Sequence, residues 1–367
     1  MTLEYFPLPG TPVEQLDTPA LIIDLDVAEG NISKLQTWAN RHKVAVRPHA
    51  KTHKSPYWAR KQLAAGAIGI CCAKVSEAEV LANAGVPEIM ITNQIIGERK
   101  ITRLMSLARS ARMIVAVDSP ENVRDLSEAA QACGAEIGVI IEVDTGMHRC
   151  GTAPGAPSVK LAKAIAKAPG LRFDGVMGYE GHLVANRDYE VRKTETLKAV
   201  EKLVETADAM RKAGLDVKIV SAAGTGTYNI TGTVKGVTEL QPGSYIFMDG
   251  DYLQVLKDFK PALHVLAQVT SRPAPDRAIT DAGLKSISTD RGFPAAAGIT
   301  GATVKSLSEE HGNVTVEGEA AKLRPGDKIR FLPMHGDTTI NLHTHYFGIR
   351  NGKLEAVIPI EGRGKIR

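Results

Sequence analysis

The sequence predicts an α/β protein: a (β/α)8 barrel (TIM barrel) followed by a second, smaller C-terminal β domain. Three observations carry that expectation. Short Val- and Ile-rich runs alternate with amphipathic helical stretches eight times in about 230 residues. The helical periodicity stops beyond Val255. From there to the C-terminus the chain reads as short strands broken by tight turns.

Taken in order, the expected barrel strands are "ALIIDLD", "VAVRPHAK", "IGICCAK", "EIMITN", "RMIVAVDS", "IGVIIEVD", "FDGVMGYEG" and "VKIVSAAG". Runs this apolar suit parallel strands covered on both faces. Between them, "VAEGNISKLQTWANRH", "VSEAEVLANAG" and "DYEVRKTETLKAVEKLVETADAMRKAG" place apolar residues at three-and-four spacing. Several helical stretches end at glycine (Gly66, Gly85, Gly134, Gly214), as a helix terminus prefers. A doubly wound open sheet shares this alternation, and periodicity does not separate the two. Further on, "ALHVLAQVTSR", "RAITDAG", "NVTVEG", "DKIRFLP" and "THYFGIRNGKLEAVIPI" are strand-like, with Asn351-Gly352 a hairpin turn. The expected division is a barrel over 18–255 and a β domain over 256–367, the latter joined by residues 1–17.

Composition excludes several classes. The chain has 367 residues, enough for a large core, with 45 basic and 41 acidic side chains interspersed along it. The net charge of +4 is too weak to argue for nucleic acid or an anionic membrane. No apolar run approaches the roughly 20 residues that span a bilayer. "MTLEYFPLPGTPVEQ" carries acids and no apolar core, unlike a signal peptide. Cys71, Cys72, Cys133 and Cys150 form neither a CxxC pair nor a regular framework, so a reduced, cytoplasmic chain is expected.

In a parallel barrel, chemistry gathers at the C-terminal ends of the strands. Those ends hold Lys51 in "RPHAKTHK", Lys74, Asn93, Arg149 in "DTGMHRCG", Tyr179 and His182 in "GYEGHL", and the small-residue loop "SAAGTGTY". The segment "GTGT" (Gly224 to Thr227) offers backbone N–H groups and the hydroxyls of Thr225 and Thr227. Barrels often bind phosphate at this late position, although an ordinary glycine turn has the same letters. A lysine beside other cations is commonly solvated. Lys51, however, ends an apolar strand among Arg47, His49, His53 and Lys54, and positive neighbours with partial burial lower an amine's pKa. A neutral amine can bond a carbonyl carbon. Lysine and phosphate loop together suggest pyridoxal phosphate.

The motifs "RPHAKTHK", "GICCAKVSEAEVLANAG", "DTGMHRCG", "GYEGHL", "GTGT", "ELQPGSYIFMD", "DAGLKS" and "PMHGDTTINLH", in this order, resemble those of one family. It comprises the D-threonine aldolases, D-3-hydroxyaspartate aldolases and D-serine dehydratases, fold-type III pyridoxal phosphate enzymes related to alanine racemase. The similarity runs from about residue 17 to "EGRG" near the C-terminus and is strongest to the D-threonine aldolases. It implies that Lys51 bonds the cofactor and that Arg149 reaches the phenolic oxygen of its ring. Thr225, Gly226, Thr227, Gly243, Ser244 and Tyr245 would hold the phosphate. Gln241 falls where racemase relatives carry an arginine facing the pyridine nitrogen. Tyr179 would line the cofactor and, with His182, take part in catalysis. Relatives have a histidine where this chain has Glu180, so either His182 or a metal-bound water is expected to take over as base.

His335 and Asp337, two apart on a strand, would point to one side and share a divalent ion, leaving positions open for a substrate oxygen. An exposed polar pair looks the same in sequence. In the family this pair carries the metal. Dehydratases tend to have H-x-C, which favours zinc, and D-aldolases H-x-D. Asp337 therefore implies Mn2+ or Mg2+ rather than Zn2+, and retro-aldol cleavage of a D-3-hydroxy-amino acid, with D-threonine giving glycine and acetaldehyde. The alternative on the same scaffold is a D-serine or D-3-hydroxyaspartate dehydratase. The resemblance also implies a homodimer in which the β domain of one subunit closes the barrel mouth of another.

Overall fold

The computed structural model describes residues 6–367. The chain divides into two compact units. One comprises the residues through Ile32 together with Ser244–Arg363, and the other Ser33–Gly243 with Gly364–Arg367. The division thus falls at Gly243/Ser244, inside "QPGSY", rather than at 255/256. The N-terminal contribution to the β unit extends past residue 17 to Ile32.

The first strand, β1 (Ala20–Asp24), departs from expectation. It does not enter the parallel sheet. Eight other strands build that sheet: β2 (Ala45–Val46), β3 (Ile70–Cys72), β4 (Glu88–Gln94), β5 (Arg112–Val117), β6 (Ile137–Glu142), β7 (Leu171–Met177), β8 (Ile219–Ala222) and β9 (Glu239–Leu240). Their order is β2-β9-β8-β7-β6-β5-β4-β3, every pair parallel. A parallel bridge between His49 and Cys71 links the two ends, so the sheet curls into a barrel. The physical reason for the misassignment is plain. "ALIID" is buried at four of its five residues, the signature of any central strand, whereas β9 is only two residues long and has no pattern to read.

Alternation along the barrel strands sorts their side chains into two layers. Cys71, Met90, Ile114, Ala116, Ile140 and Met177 form one apolar cluster. Their neighbours Ile70, Cys72, Ile89, Ile91, Val115, Val117, Val139 and Ile141 join a second cluster with the helix residues Leu81, Leu104, Leu126, Leu161 and Leu203. Both faces are therefore buried, which is why these strands read as unbroken apolar runs. Local signals set the helices. Ser119 caps Pro120–Cys133 by accepting from Asn122 N, and Gly134 ends that helix at φ +64°. Asp188 caps Tyr189–Lys212 by accepting from Glu190 N and Val191 N.

The β unit contains β1 with β10 (Leu263–Ala274), β11 (Arg277–Thr280), β12 (Ala295–Ala297), β13 (Ala302–Leu307), β14 (Gly312–Val316), β15 (Lys328–Leu332), β16 (His345–Arg350) and β17 (Lys353–Pro359). Their order is β11-β14-β13-β12-β15-β10-β1-β16-β17, with β11 also pairing β10. β10 organises the unit. Along one edge its first half pairs β1 and its second half β11, while β15 lies on the other edge. The expected hairpin is present: Asn351 and Gly352 both have positive φ (51° and 72°), and Arg350 faces Lys353.

Two glycines give opposite expectations. Gly175 in β7 has φ +148°, and a Cβ there would run into the carbonyl oxygen of Ile219. Gly30 is exposed within helix Leu25–His42 and has open space where a Cβ would sit. Gly175→Ala should destabilise by about 3 kcal/mol or more, whereas Gly30→Ala should stabilise by about 0.5–1 kcal/mol. Thermal unfolding of the two variants checks both, and shifts of the same sign would contradict this packing.

Candidate active site

"RPHAKTHK" leaves β2 and turns back under the barrel mouth, and its charges are discharged one by one. Arg47 is 1% exposed. Its Nε and Nη2 donate to both carboxylate oxygens of Glu239 at 3.0–3.2 Å, and Nη1 lies 2.8 Å from Glu88 Oε1. Burial opposes the charge, but Glu239 outweighs it and the guanidinium pKa is raised. Lys54, at φ +50°, puts Nζ 2.6 Å from Glu77 Oε1. Glu77 Oε2 in turn accepts from the Ala73 and Lys74 amides.

Both histidines are neutral and structural. His49 Nδ1 accepts from Lys51 N at 3.2 Å, so its hydrogen is on Nε2, 3.0 Å from Thr92 Oγ1. Burial first, and then the nearby cations, hold its pKa well below the ordinary value. His53 repeats the arrangement, with Nδ1 accepting from Ser55 N and Nε2 facing Gln62 Oε1 at 3.2 Å. Burial moves its pKa from 6.5 to about 4. The cationic field expected around Lys51 from these four residues is therefore cancelled by carboxylates and by neutral imidazoles.

Lys51 itself is half-buried, with Nζ 5.7 Å from the centre of the Tyr179 ring. The Arg149 guanidinium carbon is 5.6 Å from the same centre. Arg149 Nη2 lies 3.5 Å from the buried Glu142, whose other oxygen accepts from Gln94 Nε2 at 2.7 Å. Tyr179 thus brings the ends of β2, β6 and β7 together. It also packs where side chains are missing. A Cβ on Gly181 would collide with its ring, and one on Gly224 would lie 3.1 Å from Cε2 and 3.2 Å from the hydroxyl. His182 is exposed, its ring against Gly146 in the loop after β6.

The loop after β8 is tightly formed. Ala223 has φ +73°, and a Cβ on Gly226 would run into Val184 O. Thr227 closes the turn: its N–H donates to Gly224 O and its Oγ1 accepts from Gly224 N. The Thr227 hydroxyl hydrogen goes to Glu180, at 2.8 Å, rather than toward the loop's interior. Thr225 is buried within the same turn.

Gln241 is held by a chain of bonds that starts at Arg47. Glu239 Oε1 accepts from Ser221 Oγ at 2.8 Å, and Ser221 Oγ accepts from Gln241 Nε2 at 2.6 Å. A carboxylate only accepts, so Ser221 donates to it and takes the amide's N–H. The carbonyl oxygen is then the amide's other polar atom. Gly243 lies against His49 and Thr52, with no room for a Cβ (2.7 Å from Thr52 Oγ1).

In the β unit, Tyr245 is a core residue, its ring 5.6 Å from that of Phe259. Ser244 Oγ is 3.5 Å from Asp337 Oδ1. His335 and Asp337 do not lie on a strand. His335 precedes the short helix Gly336–Ile340, which contains Asp337, so two-residue strand alternation does not align them. The buried Asp249 instead fixes the turn by accepting from Gly336 N at 2.9 Å and from Tyr252 N. Burial, and then Asp337, raise the Asp249 pKa to about 6. Asp290, which no motif marks in the sequence, lies 2.5 Å from His335 Nδ1 and also accepts from Ser288 and Thr338.

These residues fit the two groups the sequence implies. At the barrel mouth a primary amine, a flat aromatic wall and a guanidinium adjoin a loop whose glycines let it pack against Tyr179 and Val184, a set of groups suited to an aromatic aldehyde bearing phosphate. In the β unit, Asp290 lies against His335 Nδ1, and Asp337 stands two residues on in the short helix that follows. Among the described residues no group of three or more His, Cys, Asp or Glu side chains is arranged around one point.

His53 generates a pH expectation. Its folded pKa lies below the unfolded value, so its stabilising contribution is complete above about pH 6.5 and is lost as pH falls toward 4. The loss amounts to about 3 kcal/mol. His53→Asn, which keeps an acceptor for Ser55 N, should show a shallower decline between these pH values in chemical denaturation. Parallel pH profiles for variant and parent would refute the assignment.

Residues 23–251 match the model of the alanine racemase N-terminal domain, and residues 262–349 that of the putative serine dehydratase domain. The D-threonine aldolase of Arthrobacter sp is 42% identical over 360 residues, 97% of this chain and 95% of the relative. The 3-hydroxy-D-aspartate aldolase of Paracoccus denitrificans (strain Pd 1222) is 39% identical over 98% of this chain and 95% of its own length. The D-threo-3-hydroxyaspartate dehydratase of Delftia sp. (strain HT23) is 32% identical over 88% and 92%. The crystal structure of D-threonine aldolase from Filomicrobium marinum superposes with a TM-score of 0.96 at 41% identity, covering 98% of this chain and 100% of that one. A barrel of the alanine racemase type, joined to a serine dehydratase-type domain and similar end to end to these enzymes, makes the chain a member of the D-threonine aldolase and 3-hydroxy-D-aspartate aldolase family of fold-type III proteins.

Proposed function

We propose that this protein is a carbon–carbon lyase. It cleaves D-3-hydroxy-amino acids by a retro-aldol reaction that depends on pyridoxal phosphate and a divalent metal, D-threonine yielding glycine and acetaldehyde. The observation that carries the reading is its 42% identity, over 97% of the chain, to a D-threonine aldolase, against 32% to a dehydratase of the same scaffold.

When bound, the cofactor supplies an electron sink for the carbanion left by Cα–Cβ cleavage, and the metal a Lewis acid for the β-hydroxyl. The protein's own residues do the rest. Lys51 would be the amine that holds the cofactor's aldehyde, with loss of water, and Lys54 is unsuited to that task because it is paired with Glu77. Tyr179 forms the wall between Lys51 and Arg149, and Arg149 offers its guanidinium to an anionic ring oxygen. Gln241, turned by Ser221, presents its carbonyl oxygen to a ring N–H. Thr225 and Gly226, with Gly243, would hold the phosphate, while Thr227 shapes the loop. His182 Nε2 takes the proton of the substrate's β-hydroxyl. His335 Nε2 and Asp337 bind the ion, and a donor set of imidazole and carboxylate oxygen suits Mn2+ or Mg2+.

Two further readings belong with this one. All four cysteines are free, in keeping with a reducing cytoplasm. The assembly is a homodimer, which sedimentation would test.

Incubation with D-threonine should release acetaldehyde and glycine in equal amounts. Formation of 2-oxobutyrate and ammonia would sink the aldolase reading. Lys51→Ala should abolish activity and remove the visible absorption band of lysine-bound cofactor, with Lys54→Ala keeping that band. Exhaustive chelation should reduce turnover by two or more orders of magnitude (roughly the several kcal/mol of a Lewis acid), restored by Mn2+. Full activity after complete metal removal would defeat the His335–Asp337 assignment.

A further inference from the structure

Glu180 is a buried carboxylate, 1% exposed, that takes no part in the proposed chemistry. It receives three hydrogen bonds from the loop after β8. Thr231 Oγ1 donates at 2.6 Å, Thr227 Oγ1 at 2.8 Å and Ala223 N at 3.3 Å. These donors span the loop from its first residue to the end of the short helix Tyr228–Thr231 that closes it. Ala223 is a non-glycine residue at φ +73°, a strained conformation that persists only where the surroundings enforce it. Its N–H is one of the three donors.

The contacts agree with the bonds. The segment that carries Glu180 also supplies Val184, whose carbonyl fills the space above Gly226, and Tyr179, whose ring fills that beside Gly224. Residues 179–184 and 223–231 are thus packed as one body with the carboxylate at its centre. An ionised carboxylate is an acceptor only. It therefore draws the Thr227 hydroxyl hydrogen inward, and recognition of an anion falls to the loop's other donors.

We propose that Glu180 is the positioning residue of the phosphate loop. Acting through Thr227, Thr231 and the Ala223 amide, it sets the shape that distinguishes a phosphorylated pyridoxal from an unphosphorylated one. The proposal rests on the reading that pyridoxal phosphate binds at this loop.

The test compares the full-length chain, stripped of cofactor, with its Glu180→Ala and Thr231→Val variants, each titrated with pyridoxal phosphate and with pyridoxal. Loss of hydrogen bonds to a charged group should weaken pyridoxal phosphate binding by Glu180→Ala about tenfold or more, and by Thr231→Val about threefold or more. Affinity for pyridoxal should stay within about twofold of the parent in both. A general structural role would instead weaken both ligands equally, and that result overturns the proposal, as does unchanged binding of pyridoxal phosphate by both variants. If Glu180→Ala does not fold, the ratio of the two affinities in Thr231→Val decides alone. A parent chain that binds pyridoxal phosphate no tighter than pyridoxal would defeat the placement of the phosphate itself, separately from the role of Glu180.

Discussion

The buried charge of Arg47 is the constraint on which the barrel's chemistry depends. A guanidinium taken out of water must be matched, and here Glu239 matches it through both oxygens while Glu88 takes the remaining nitrogen. The match joins β2 to β9, whose backbones also bond from Arg47 N to Leu240 O. It leaves so little room beside β3 that position 69 has to be glycine, since a Cβ would strike Arg47. With β2 held in register against β9, the chain leaves the barrel at a defined place, and Lys51 comes four residues later. Through Glu239 and Ser221 the same charge orients Gln241. One ion pair therefore ties barrel closure, the placement of Lys51 and a second polar group of the mouth together.

Lys51 is set apart by how its neighbours are neutralised. Positive residues crowd the sequence around it, yet in the fold each is matched or uncharged. Lys54 has Glu77, and the backbone N–H groups of Lys51 and Ser55 select the neutral tautomers of His49 and His53. The cation that does approach the same aromatic wall is Arg149, from the loop after β6. Selectivity for one lysine among several arises here from pairing rather than from accumulated charge.

The glycines of the mouth have a common cause. Gly181 and Gly224 clear space for Tyr179, and Gly226 clears it for the carbonyl of Val184. A "GTGT" turn looks like flexibility in sequence, but in the fold it is close packing, stiffened by the carboxylate of Glu180. Glycine is used because the walls approach, and the loop that results is more rigid than its composition suggests.

The sequence by itself determined the class of the fold, the glycine ends of several helices, the hairpin at Asn351-Gly352, and which strand ends carry the candidate groups. These arise from periodicities and turn chemistry that act over a few residues. Only the tertiary structure decided that "ALIID" belongs to the antiparallel sheet and that the two residues of β9 complete the barrel. Burial on both faces erases the difference between central strands of any sheet, and a two-residue strand has no period. The candidate site divides the same way. Lys51, Arg149 and Tyr179 were legible because their motifs end strands. Asp290, Glu180 and the Arg47–Glu239–Ser221–Gln241 chain were not, since their partners lie 18 to 192 residues apart. His335 and Asp337 were legible as a pair but not as a geometry, because His335 is extended whereas the chain from Gly336, whose N–H bonds Asp249 87 residues away, turns into a short helix that carries Asp337.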